Sequence, residues 1–290
     1  MKRLSAVFAL VTCVSAVACG SSGSSSPSAP SSTPTPAAPT TTTASSTVTS
    51  GVFTFTFPAG MLVSDTTLIQ NAITAHASFL QTAFGRTITK PSRVIASTTD
   101  PGCANQGASA FTGISMTTVC VADVGWTAHN TLNKQKILGH ELFLMLGYEM
   151  GWLGHPNQDA ASAHWIDEGS AEYAAWQAVA SEGLISFAAA KSCMVAQANA
   201  MVSPSQNLNT METAQGFGIP GSFQLAMLGM DQLVTPLGLP TLMTYGTAIA
   251  SGTQWPTAFQ NSFGTSTTAF YNQYPTYRAS LGAGSDTCGT

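Results

Sequence analysis

No charged residue separates Arg3 from Asp65, and residues 20–50 consist only of Gly, Ser, Thr, Pro and Ala with the single Val48. A stretch so poor in large apolar side chains cannot offset its own ordering entropy and is expected to stay disordered. Proline keeps such a segment extended, and Ser and Gly keep it supple, so residues 19–50 read as a stalk. The folded part is thereby confined to residues 51–290, enough for one substantial core and within the range of a single domain.

Ahead of the stalk, Lys2 and Arg3 precede an apolar run over residues 4–17. This is the order of a signal peptide, and the run is too short for a membrane span, which needs roughly 20 apolar residues. Ala16-Val17-Ala18-Cys19-Gly20 resembles a bacterial lipobox. The resemblance implies that residues 1–18 are removed and that Cys19 becomes the lipidated first residue of an exported protein, held on the extracytoplasmic side of a membrane. Ordinary cleavage after Ala18 without a lipid is the alternative.

Loss of Lys2 and Arg3 leaves seven basic residues against thirteen acidic ones, a net charge of −6. Only 8% of the chain is charged, and no basic patch or stripe suggests nucleic acid. Of six cysteines, Cys13 leaves with the signal and Cys19 is the lipid candidate. Cys103, Cys120, Cys193 and Cys288 remain, and an even number in an exported protein suggests two disulfides. Three pairings exist. Cys103 with Cys120 and Cys193 with Cys288 is the expected one, because the first two flank one loop-and-strand unit and the second pair staples the C-terminus to a helix.

Apolar and aromatic residues alternate with Thr over 52–57, which reads as a strand. Residues 65–84 carry apolar side chains at helical spacing, with Gly85 as a stop. Short strands are expected over 93–96 and 118–122, with a loop or weak strand over 105–113. From Leu132 the pattern turns helical. Residues 132–150 are apolar on nearly all sides after a polar first turn, the mark of a buried central helix. Residues 151–162 form a loop, and helices are expected over 167–182, 185–201, 223–234, 239–251 and 255–281. Sheet first and helices after argues for an α+β fold: a small N-terminal β-sheet with helices, then a mostly helical half.

Two patches in the helical half carry chemistry. One is Gly139-His140-Glu141-Leu142-Phe143-Leu144, and the other is Trp165-Ile166-Asp167-Glu168-Gly169-Ser170-Ala171-Glu172-Tyr173. In the H-E-x-x-H motif two histidines one helical turn apart reach a single zinc, and the Glu between them activates the bound water. The second patch resembles the third-ligand helix of gluzincin metallopeptidases, the thermolysin-like superfamily. The run from His140 to Gly151 is similar to the central helix of an exported gluzincin-like group that reads H-E-x-F-H-x-x-Q-x-x-x-G. Phe263-Gly264, Phe270-Tyr271 and Tyr277-Arg278 match the style of that group's final helices.

The resemblance implies a gluzincin-like domain over residues 51–290, with His140 and Glu168 as zinc ligands, Glu141 as general base and Glu172 supporting His140 from behind. The departure is Leu144, which stands where the second His ligand belongs; Gly147 likewise stands where Gln is common. Leu offers a metal no lone pair, and two protein ligands fall short of the three plus water of a catalytic zinc site. The expectation is a degenerate site with a vestigial Glu141, zinc being the metal if any is bound. Its role would be non-catalytic, binding a peptide or a cell-envelope component. An active zinc peptidase with His164 or His155 as substitute ligand is the rival reading, and a purely structural envelope protein a third.

Overall fold

The computed structural model describes residues 39–106 and 109–288; the expected signal peptide, Cys19 and residues 19–38 of the expected stalk lie outside the described residues. Among the described residues, β1 (Ser46–Ser50), β2 (Phe53–Phe57), β3 (Ser92–Ser97), β4 (Ala110–Gly113) and β5 (Met116–Cys120) form one sheet in the order β1-β2-β3-β5-β4. β2, β3 and β5 run parallel, while β1 and β4 are antiparallel edges. Thr alternates with Phe in β2, so Phe53, Phe55 and Phe57 all enter the core on one face.

The parallel step from β2 to β3 requires a crossover, and α1 (Val63–Phe84) supplies it. Its stripe of Ile69, Ala72, Ile73, Leu80 and Phe84 is buried, and Gly85, at a φ of 65°, ends it in the left-handed region. Short α2 (Pro101–Gln106) and α3 (Val124–Ala128) lie to either side of the hairpin formed by β4 and β5. The helical half follows as α4 (Thr131–Met150), α5 (Gln158–Ala161), α6 (His164–Ser181), α7 (Phe187–Met201), a 3-10 turn (Leu208–Met211), α8 (Ala214–Phe217), α9 (Ser222–Val234), α10 (Pro240–Ala250), α11 (Trp255–Phe263) and α12 (Thr267–Ser280). The architecture is the α+β order expected from the sequence.

α4 is the central helix. Asn130 caps its start by accepting from the backbone N–H of Asn133, and Gly151 ends it in the left-handed region. Between those ends Leu138, Leu142, Phe143, Met145 and Leu146 are buried, as an all-round apolar pattern requires. α6 packs against α4 on one side and α9 on the other. The second approach depends on Gly169, where an added Cβ would sit 2.8 Å from the carbonyl oxygen of Ala226.

Both expected disulfides are present. Cys103–Cys120 joins α2 to the end of β5, and Cys193–Cys288 fastens the C-terminal tail to α7.

Several boundaries are corrected. Residues 46–50 are not stalk but an edge strand, paired in full register with β2. All five of its residues are exposed, so backbone hydrogen bonds, not burial, hold it. The bridge between Thr41 and Leu62 and the Thr42 N–H to Met61 carbonyl bond bring the start of the folded unit back further still. The helix expected over 255–281 is two helices, broken at Gly264 with a φ of 72°. α6 begins at His164, three residues earlier than expected, and α3 was not foreseen.

Candidate functional site

Two helical stripes face each other across the contact of α4 and α6. Lys136, His140, Leu144 and Tyr148 repeat every four residues on α4, and His164, Glu168, Glu172 and Trp176 do so on α6. Four-residue spacing keeps each set on one face. The contacts run in opposite senses along the two helices: Lys136 meets Glu172 and Trp176, and His140 meets Glu172 and Glu168.

His140 is clasped from both sides. Its Nδ1 lies 3.1 Å from Oε2 of Glu172, and its Nε2 lies 3.1 Å from Oε2 of Glu168. Ionised carboxylates only accept, so both ring nitrogens donate and the imidazole is a cation. Burial pulls the His140 pKa down, but the hydrogen bonds to Glu168 and Glu172 overcome it and hold it up at about 10.

Glu172 also takes the Lys136 ammonium at 2.9 Å and the Trp176 indole N–H at 3.1 Å. Burial opposes its ionisation, yet the Lys136 charge and the His140 hydrogen bond bring its pKa down to about 2. Lys136, Glu172, His140 and Glu168 thus form a chain of alternating charge along the interface.

A cleft of about 430 Å³ opens beside this chain, with His140, Glu141, Leu144, Tyr148 and Glu168 among its lining residues. Phe111 and Thr112 of edge strand β4 and Phe223 of α9 complete its walls. Glu141 is 7% exposed, its pKa is raised by burial against the pull of His140, and its Oε2 has no hydrogen-bond partner. His155 and His164 line the same cleft. His164 Nε2 comes within 3.7 Å of Oε1 of Glu168, while Nε2 of His155 is buried without a partner.

The geometry therefore brings together His140, Glu141, Glu168 and Glu172 as the two motifs expected, with Leu144 on the cleft wall. Leu144, four residues after His140 on the same face of α4, lines the cleft and offers a metal no lone pair, so this face of α4 supplies one imidazole. Among the described residues, no three His, Cys, Asp or Glu side chains are grouped to hold a metal ion.

Several participants escaped the sequence reading. Lys136 was visible only as part of the polar first turn of α4, although its position one turn before His140 marks it. Phe111 and Phe223 come from distant elements, and no local signal ties them to the cleft. The third is the anchor of α6: Asp167 accepts from Trp152 Nε1 at 2.9 Å, Ser162 Oγ at 2.5 Å and Gln158 Nε2 at 3.0 Å. Burial raises the Asp167 pKa to about 7 against those hydrogen bonds. This network fixes the loop after α4 against the first turn of the helix that carries Glu168.

No protein-family model matches the chain, and no curated protein sequence matches it. Solved structures do. A mutant of the M1 zinc metallopeptidase from Deinococcus radiodurans superposes with a TM-score of 0.51 at 14% identity, over 85% of this chain and 53% of the other. A mutant two-domain M1 zinc metallopeptidase bound to L-arginine gives a TM-score of 0.50 at 14% identity, over 82% of this chain and 49% of that one. The fold is thus that of M1-type zinc metallopeptidases, and the chain spans about half the length of these structures.

Proposed function

We propose that this chain is a non-catalytic binding protein built on the metallopeptidase scaffold, exported as a lipoprotein and tethered through Cys19. The observation that carries the reading is Leu144, which lines the cleft four residues after His140, where the second His of the motif would stand, and offers a metal no lone pair. Glu141 is left without a polarised water to deprotonate.

What remains is a recognition cleft. β4 is an edge strand, so its outer backbone groups are open to pairing, and Phe111 and Thr112 place that edge on the cleft wall. An extended peptide that adds to such an edge gains backbone hydrogen bonds and drops alternate side chains into the cavity. A peptide, or a cell-envelope component presenting one, is the partner this favours. No helix among the described residues is long and apolar enough to cross a membrane, and the tether is assigned to the lipid on Cys19.

Metal analysis of the purified, processed protein is the test. The expected outcome is zinc far below one equivalent and no tight zinc binding by calorimetry. Zinc retained near one equivalent overturns the reading. It would favour an active peptidase with His164 as substitute ligand, whose Nε2 already stands near Glu168, or with His155.

A further inference from the structure

The sheet has two free edges among the described residues, β4 beside the cleft and β1 at the opposite end. The hydrogen-bond parity of β1 follows from its neighbours. The Ser92 N–H donates to the Val52 carbonyl, so Val52 turns its backbone groups to β3 and Phe53 turns its own to β1. Ser50 faces Phe53 across the two-residue turn of Gly51 and Val52, with Gly51 at a φ of 58°. Ser46, Val48 and Ser50 therefore bond to β2, and Thr47 and Thr49 direct their N–H and C=O groups outward. The bridge between Thr41 and Leu62 keeps the same register and parity, since the Thr42 N–H bonds to the Met61 carbonyl and the Thr40 carbonyl accepts from Val63.

Free edges are ordinarily guarded by a charge, a proline or a bulge. β1 has none of these: it is Ser46-Thr47-Val48-Thr49-Ser50, in unbroken register with β2, and no charged residue lies between Arg3 and Asp65. Its sequence reads the same in both directions. Two copies paired antiparallel about Val48 set Ser46 against Ser50, Thr47 against Thr49, and Val48 against itself. Thr47 and Thr49 then exchange backbone hydrogen bonds both ways across the twofold axis, and Val48 falls at the closely spaced, non-hydrogen-bonded position on that axis. Thr–Thr and β-branched pairs are favourable cross-strand neighbours. Val48 faces the same side of the sheet as its partner Phe55, which is wholly buried, yet Val48 is 42% exposed. A second Val48 gives it the contact that its own chain lacks.

There is room beside this edge. An open groove of about 690 Å³ runs between β1 and α1, with Val48 on one side and Gln70, Asn71, Thr74 and Ser78 on the other. None of the residues that line it is charged. In the pair, both grooves open on one face and join between two α1 helices, so neutral surfaces meet although each chain is acidic overall. We propose that β1 is a self-association edge, and that two copies of this chain pair through Thr47, Val48 and Thr49 into one continuous sheet. β4, at the other end of the sheet, stays open in each copy.

The test is sedimentation equilibrium of the purified full-length processed protein in density-matched detergent. A concentration-dependent dimer is expected in the micromolar range. Thr49→Pro takes an outward N–H from each copy and none from the β2 pairing, and should weaken the dimer about ten- to hundredfold, the scale of two hydrogen bonds. Val48→Lys should also weaken it, and so should Val48→Glu, because like charges then meet on the axis. An equimolar mixture of these two variants should regain the dimer as a mixed pair. Val48→Cys should crosslink on mild oxidation, since Cα atoms in such a pair stand about 4.5 Å apart, within disulfide reach. Leu237→Cys, at another exposed apolar position, should not. Unfolding midpoints of the variants should match the parent, because Val48 and Thr49 are exposed. An exclusively monomeric parent overturns the proposal and leaves the edge to a different occupant. A dimer indifferent to Thr49→Pro and Val48→Lys also overturns it and puts the interface elsewhere, as does a mixture of the Lys and Glu variants that stays monomeric.

Discussion

At the scale of single residues, the site is decided by one side chain and one ion cluster. If Leu144 is a lost ligand, Leu144→His should restore a donor one turn from His140, on the face that looks into the cleft. Zinc affinity should rise by at least about 10–100-fold, since loss of groups that only support ligands already costs that much. Equal zinc binding by wild type and variant in calorimetry would show the missing-ligand account to be wrong. The clasp makes a separate prediction about pH. The folded His140 pKa of about 10 lies above its ordinary 6.5, so its contribution is complete below 6.5 and lost as pH rises through 10. The folded Glu172 pKa of about 2 lies below its ordinary 4.5, so its contribution is complete above 4.5 and lost as pH falls through 2. Together they stabilise most between pH 4.5 and 6.5. His140→Gln should flatten the alkaline decline in unfolding free energy; parallel profiles for wild type and variant above pH 6.5 would exclude a charged His140. His140, Glu168 and Glu172 were legible because each motif is a local run. The Asp167 network was not, because Trp152, Ser162 and Tyr245 are joined only by the fold, Ser162 and Tyr245 standing 3.0 Å apart across 83 residues.

Between elements, the decisive contact is the packing of α6 against both α4 and α9. Gly169 follows Glu168 directly, and its missing side chain lets the α9 backbone approach at Ala226. Backbone cannot step aside as a flexible side chain can. Gly169→Ala should therefore destabilise the protein by about 1–3 kcal/mol, the usual range for overpacking. Helix propensity acts in the other direction, since Ala gains up to about 1 kcal/mol over Gly in a helix interior. A stabilised variant in denaturant titration would mean that α9 yields and that the close approach is unimportant. Periodicity revealed α1, α4 and α6 because each buries an apolar stripe or an apolar girth. It missed β1, whose side chains stay exposed and whose backbone pairs with β2. It also ran α11 into α12, because the apolar spacing continues across Gly264 while the chain turns there.

For the whole molecule, the question is how a chain with so few charges keeps its distant parts together. Retention in the membrane fraction should depend on Cys19, and Cys19→Ser should release the protein or block its processing; unchanged membrane association would remove the lipid anchor from the proposal. Within the folded unit, the C-terminal tail is held to α7 by the Ser285 N–H to Ser192 carbonyl bond and by Asn199 donating to the Gly282 carbonyl. It reaches back to the start of α4, where the Asn130 amide donates to the Cys288 carbonyl at 2.9 Å. The disulfide makes these weak contacts permanent. Cys193 and Cys288 are 95 residues apart, against 17 for Cys103 and Cys120. In the chain-entropy model a loop near 100 residues contributes about 4.7 kcal/mol and one near 15 residues about 3 kcal/mol. Replacing Cys193 and Cys288 together should therefore lower stability more than replacing Cys103 and Cys120 together, by about 1–2 kcal/mol on that scale. Cys193 is fully buried, so its replacement should be Ala, which leaves no unpaired polar group in the α7 core. Cys288 can be Ser. Denaturant midpoints of the two double variants, compared with the oxidised parent, read the difference directly. If removing the short loop proves the more damaging, the bridges act by holding native geometry around α2 and β5, and the entropic account of the tail fails.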